Sequence, residues 1–123
     1  MKALSIRQPW AWAILHAGKN VENRTWHTSY RGPLLIHAGK GFDKFGKWWL
    51  INTLGLAVPG NLPRGGIVGR VRLVDCVTHM DYDAPWFAGP FGFVLADPEE
   101  ILFYNCVGRL GIFEAPLQEA MGL

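Results

Sequence analysis

The chain has 123 residues, half of them hydrophobic and six of them tryptophan, which suffices for one packed core and not for two, so a single domain over residues 1–123 is expected. No apolar run reaches the roughly 18 residues that cross a bilayer, and Arg7 and Pro9 break the opening stretch before a signal-peptide core forms, so a cytoplasmic protein with no membrane role is expected. The net charge of +2 conceals a division: residues 1–72 carry eleven Lys and Arg against Glu22 and Asp43, a net +9, whereas residues 73–123 carry Arg109 against eight acids, a net −7.

In chain order, Lys2–Arg7 alternates weakly and reads as a first strand. Pro9 suits the first turn of a helix, where its missing N–H costs nothing. Trp10, Ala13, Ile14 and Ala17 recur at helical spacing, and Ala11, Trp12 and Leu15 between them make the helix apolar nearly all round. Gly18 then stands where a C-terminal glycine belongs, with Lys19 near the helix's negative end. If the chain is extended from Val21, Glu22, Arg24 and Trp26 project from one side of a strand. Tyr30–Pro33 marks a turn and Leu34–His37 a buried strand. Ala38–Phe42, with two glycines, reads as a loop. Asp43 caps a second helix to about Leu54, in which Phe45, Trp48, Trp49 and Asn52 fall on one stripe. Leu56–Gly66 is loop. Ile67–Val77 is the longest strand, with Arg70 and Arg72 on one face. Met80–Pro90 is irregular, and Phe91–Ala96 and Leu110–Ala115 close the series. The order points to an α+β fold, a small, mostly antiparallel β-barrel flanked by two or more helices.

The segment AGKNVENRTW, residues 17–26, sets a Lys, a Glu and an Arg within six positions directly after an apolar helix. Groups packed so closely beside a hydrophobic element either pair with one another or face a ligand. Lys19, Glu22 and Arg24 match the spacing of the motif G-x-K-x-x-E-x-R, with Ala17 where a first glycine often stands. This segment resembles the signature of the ASCH family, within the PUA-like superfamily. KALSIRQPWAWAIL and YRGPLLIHAGK resemble the N-terminal pattern of its bacterial members, so the chain is similar to a small, freestanding bacterial or phage-type member. The resemblance implies a PUA-like barrel and places Lys19, Glu22 and Arg24 in a cleft between the barrel and the first helix. There Arg24 and Lys19 would hold a phosphate or a base edge, the Arg in bidentate fashion, and Glu22 would accept from an exocyclic amine.

Other residues join this set. Gln8, at the helix start, either reads a base or caps the helix; Trp10 reads as core. Trp26, if exposed beside Arg24, is a stacking platform, with Tyr30 and Arg31 extending it and Trp86 a second aromatic. Lys40 lies in a glycine-bearing segment that resembles a phosphate cradle in outline but lacks the P-loop pattern. His37 reads as a hydrogen-bonded core histidine. His16, His27 and His79 have no metal-ligand spacing, so neither a metal nor another cofactor is expected. Cys76 and Cys106 read as buried free thiols. The charge division gives a basic face fit for phosphates if the two halves stay apart, and simple cross-strand pairing if they interleave.

Three functions are compatible with these residues. The first is a nucleic-acid binding module, for RNA above all and with DNA also open, which recognises a nucleotide or modified base. The second is a hydrolase acting on a modified nucleoside or a ribonuclease, with Lys19 and Glu22 as an acid–base pair. The resemblance implies small amidohydrolases in one branch of the family, but there the motif Lys works with a Thr where this chain has Glu22. Metal-assisted RNA cleavage would need carboxylates such as Asp81 and Asp83 in the cleft. The third is an interaction module whose cleft is occluded.

Overall fold

A computed structural model describes residues 1–80 and 84–117. Eight elements follow one another: β1 (Lys2–Gln8), α1 (Trp10–His16), β2 (Val21–Arg24), β3 (Gly32–Phe42), α2 (Lys44–Asn52), β4 (Gly66–Val77), β5 (Phe91–Asn105) and β6 (Ile112–Glu114). The strands form one six-stranded mixed sheet in the order β2-β5-β4-β3-β1-β6. β1 and β3 run parallel, and the other four pairings are antiparallel. The α+β class and the two helices agree with the sequence reading. The barrel does not: the sheet ends in two short edges, four-residue β2 and three-residue β6, and is not closed.

Two strands run further than the sequence suggested, for related reasons. Ala38–Phe42, expected as a loop, continues β3 as far as a pairing of Phe42 with Gln8. Its glycines mark crowding against β1: a Cβ at Gly39 would stand 3.1 Å from Ser5 Oγ, and one at Gly41 would stand 3.1 Å from Arg7 Cδ. Glycine in a strand often signals such a close approach rather than a break. β5, expected to stop at Ala96, continues to Asn105 and is the longest strand. Opposite Arg70 and Arg72 of β4 stand Glu99 and Ala96, so β5 carries one extra residue at Asp97–Pro98. A bulge accommodates the proline, which has no N–H for the ladder, and Asp97 adopts a φ of 53° there.

The core has two parts. Leu4, Ile6, Ile14, Leu34, Ile36, Val71, Leu73 and Phe93 form the larger, between sheet and α1. Ala3, Leu35, Ile67, Phe113 and Leu117 form the smaller. α1 lies close on the sheet because Gly69 of β4 has no side chain; a Cβ there would meet Leu15 Cδ2 at 2.5 Å. Cys76 and Cys106 are free, as expected, but half-buried rather than buried. No described helix is long and apolar enough to cross a membrane.

α2 begins where expected. The Asp43 side chain accepts from Gly46 N at 2.9 Å, and its other oxygen accepts from the Trp10 indole N–H at 2.9 Å. Gly46 then lies flat against that indole, with a built Cβ only 2.6 Å from Trp10 Cζ2. Alanine is the better helix former, but here it would overpack the seam between α2 and Trp10. Gly46→Ala is therefore expected to lower stability by roughly 1–3 kcal/mol, measured by urea unfolding; a stabilised variant would contradict this packing.

Candidate functional site

The chain enters the site at the end of α1. Gly18, at a φ of 75°, reverses the backbone so that Lys19 N donates to the Ala13 carbonyl at 3.1 Å. β2 then pairs with the start of β5, Glu22 opposite Phe93 and Arg24 opposite Phe91. Two residues apart on one strand, Glu22 and Arg24 point the same way, toward the side on which Lys19 has been set.

There the three side chains pair. Lys19 Nζ donates to Glu22 Oε1 at 3.0 Å and to the Val21 carbonyl. Arg24 Nη2 lies 3.0 Å from Glu22 Oε2 and donates to the Ser5 carbonyl at 2.8 Å. Lys19 and Glu22 are only 5 % and 9 % exposed. Both carboxylate oxygens are thus engaged, and the cluster keeps one net positive charge. Arg24 Nε is buried with no hydrogen-bond partner among the described residues, a donor left over in a place where most are satisfied.

This cluster lines a cleft of about 560 Å3 together with Ser5, Arg7, Asn23 and an aromatic wall. Trp10 lies 6.1 Å from Trp49, and Trp49 lies 6.0 Å from Trp86, edge to face. Lys19 Nζ sits 5.7 Å from the centre of the Trp10 ring. Each indole is held from a different element. Trp10 is tied to Asp43, and Trp49 rides on α2. Trp86 is placed by Asn23, whose amide donates to the Trp86 carbonyl at 3.0 Å and accepts from Ala88 and Gly89 N.

The motif residues Lys19, Glu22 and Arg24 therefore meet in one cleft, and the other sequence candidates are distributed around it. Gln8 is buried with its amide spoken for: Nε2 donates to the Pro63 carbonyl, and Oε1 accepts from Trp12 N. β2 stops at Arg24, so its alternation does not carry Trp26 into the cleft; Trp26 packs edge-on against Phe93 at 5.1 Å. Arg31 donates to the Thr28 and Tyr30 carbonyls and lies 3.6 Å from Asp75. Lys40 lines a second cleft. Asp81 and Asp83 fall outside the described residues. No group of three His, Cys, Asp or Glu suited to a metal occurs among the described residues. Trp49, Phe45, Ser5 and Asn23 escaped the sequence reading, in which the α2 aromatics formed a single helical stripe.

The two charge blocks interleave. Arg70 pairs with Glu99 across β4 and β5, Lys2 with Glu114, and Arg31 with Asp75. Among the described residues this leaves Arg7, Lys40, Lys44, Lys47, Arg64 and Arg72 as the N-terminal cations without an ion pair.

Residues 4–100 match the family described as the ASCH domain, and the chain belongs to that family. Its relatives include human activating signal cointegrator 1, 28% identical over 112 residues, a match that takes in 80% of this chain and 19% of that protein. The mouse protein of the same name is 29% identical over 112 residues with the same coverage. The chain spans about a fifth of the length of these relatives.

Glu22 is the hinge of the cluster, because its loss strands two cations at once. Glu22→Gln is expected to cost about 3–5 kcal/mol in urea unfolding, the range for breaking a buried ion pair from one side; a loss below about 1 kcal/mol would mean that water screens the cluster. Asp43 gives a pH test. Burial pushes its carboxyl up, but the Gly46 N–H, the Trp10 indole and the charge of Arg7 outweigh this and hold it below the ordinary 3.8. Its ionised form therefore stabilises the fold above that value, and the contribution is lost as pH falls through the lower folded value. The stability gap between wild type and Asp43→Asn is expected to be open at neutral pH and to close on acidification past 3.8.

Proposed function

We propose that this ASCH domain binds RNA and seats one nucleotide in the cleft, its base against the tryptophan wall and its polar edge or phosphate on the Lys19–Glu22–Arg24 cluster. The observation that carries this reading is the meeting, in a single open cleft, of a preformed charged cluster with three indoles held from three different elements. Stacking on aromatic rings is tolerant of sequence because every base has a π-face. Unstacked bases of single-stranded RNA are the forms that such a site can reach.

The ion pairing favours binding over chemistry. A general base must reach the proton it takes, and each oxygen of Glu22 already faces a cation. Lys19 is committed too, to Glu22 and to a backbone carbonyl. The cluster instead supports recognition: the Arg24 guanidinium is oriented in advance by Glu22 and the Ser5 carbonyl.

Trp49→Ala and Trp86→Ala are each expected to weaken binding of a short single-stranded RNA by roughly five- to a hundredfold, the equivalent of about 1–3 kcal/mol per stacked base. Fluorescence anisotropy measures the affinity, and mass spectrometry of the recovered RNA is expected to show it intact. Wild-type affinity in both variants, or RNA converted by the wild type and not by Lys19→Ala, would overturn the reading.

A further inference from the structure

Next to the first cleft lies a second, of about 590 Å3, and two residues line both: Ser5 and Arg24. Its charge is one-sided. Arg24, Lys40 and Arg109 line it, and none of its described lining residues is acidic. Neither Lys40 nor Arg109 has an ion pair among the described residues, unlike Arg70 and Arg31, which acids of the C-terminal half neutralise.

The cleft is also kept open by glycine. A Cβ at Gly108 would lie 3.0 Å from Ser5 Oγ and 2.7 Å from His37 Cε1, and one at Gly39 would lie 3.1 Å from Ser5 Oγ. Side chains at either position would cover the floor that Ser5 and His37 form. That floor is fixed. His37 Nε2 lies 2.6 Å from the Cys106 carbonyl, which can only accept, so this nitrogen carries the proton. In the neutral ring, Nδ1 then accepts from the Ser5 hydroxyl at 2.9 Å. The backbone at Lys40 is held as well, its carbonyl accepting from Arg64 Nη1 at 3.1 Å, while the Lys40 side chain is exposed.

We propose that this second cleft is a phosphate subsite, which receives the phosphodiester adjoining the nucleotide held in the first cleft. The proposal rests on the nucleotide-binding reading above. A strand leaving the first cleft over Ser5 and Arg24, itself paired with Glu22, meets the unpaired Lys40 and Arg109, backbone bare of side chains and, among the described lining residues, no carboxylate. Phosphates are drawn to such a place both by charge and by the release of their counterions.

The test is the salt dependence of binding for a fluorescein-labelled single-stranded RNA of about ten nucleotides, within the range such proteins cover. The Lys40→Ala/Arg109→Ala double variant is expected to bind about tenfold more weakly at low salt. Its slope of log K against log salt is expected to be shallower by about 1.4, or about 0.7 for each lost phosphate contact. The Lys2→Ala/Arg72→Ala variant, which removes two cations from outside both clefts, is expected to keep the wild-type slope.

An unchanged slope and affinity in the first variant would overturn the subsite, as would an equal loss in the second. The two readings separate cleanly. Wild-type affinity in Trp49→Ala and Trp86→Ala with loss in Lys40→Ala/Arg109→Ala would remove the base site and keep the phosphate site. The opposite pattern would remove only the phosphate site, and a wild type that ignores RNA at low salt would remove both.

Discussion

One carboxylate organises this molecule. Glu22 is almost out of water, and each of its oxygens holds a cation, Lys19 from the end of α1 and Arg24 from the end of β2. Burying a lone charge costs far more than a fold of this size can absorb. The three groups must therefore arrive together, which constrains everything near them. Gly18 has to reverse the chain in time for Lys19, β2 has to stay extended through Arg24, and β1 has to offer the Ser5 carbonyl to Arg24 Nη2. The short edge strand β2 is thereby tied to β1 on the far side of the sheet.

The same arrangement makes the cleft. Because the three side chains fix one another, the cluster keeps a single geometry before any ligand arrives. The walls are set with equal economy. Asp43 caps α2 and holds the Trp10 indole with the same carboxyl group, and Asn23 orders the segment around Trp86 through three hydrogen bonds. Charged floor and aromatic wall are thus coupled: Trp10 packs beside Lys19, lies tilted against Trp49 and is held by the cap of α2. Ser5 extends the coupling, since its carbonyl serves Arg24 in one cleft and its hydroxyl serves His37 in the other.

The sequence disclosed much of this and concealed the rest for identifiable reasons. The spacing of Lys19, Glu22 and Arg24 was enough to bring them together, because a glycine turn and a strand alternation are local rules. The Asp43 cap was legible for the same reason. β3 and β5 ran past their expected ends because Gly39, Gly41 and Pro98 act as breakers only when nothing across the sheet requires the strand to continue; here β1 and β4 do. The open sheet, where a barrel was expected, depends on edge lengths that element order does not encode. Trp26 was drawn toward the cleft by an alternation that stopped two residues too soon. Trp49 was missed because a helical stripe does not say which neighbour it faces.

Six tryptophans in one small domain offer a direct view of the central claim, that a nucleotide sits between the charged cluster and the aromatic wall. The indole N–H resonances, assigned one by one through substitution, can be followed by NMR as short single-stranded RNA is added. The account requires the Trp10, Trp49 and Trp86 signals to move together and to saturate at one equivalent, with Trp12 and Trp26 unmoved. Shifts confined to Trp12 or Trp26, or a wall that stays silent while the RNA binds, would place the ligand elsewhere and contradict it.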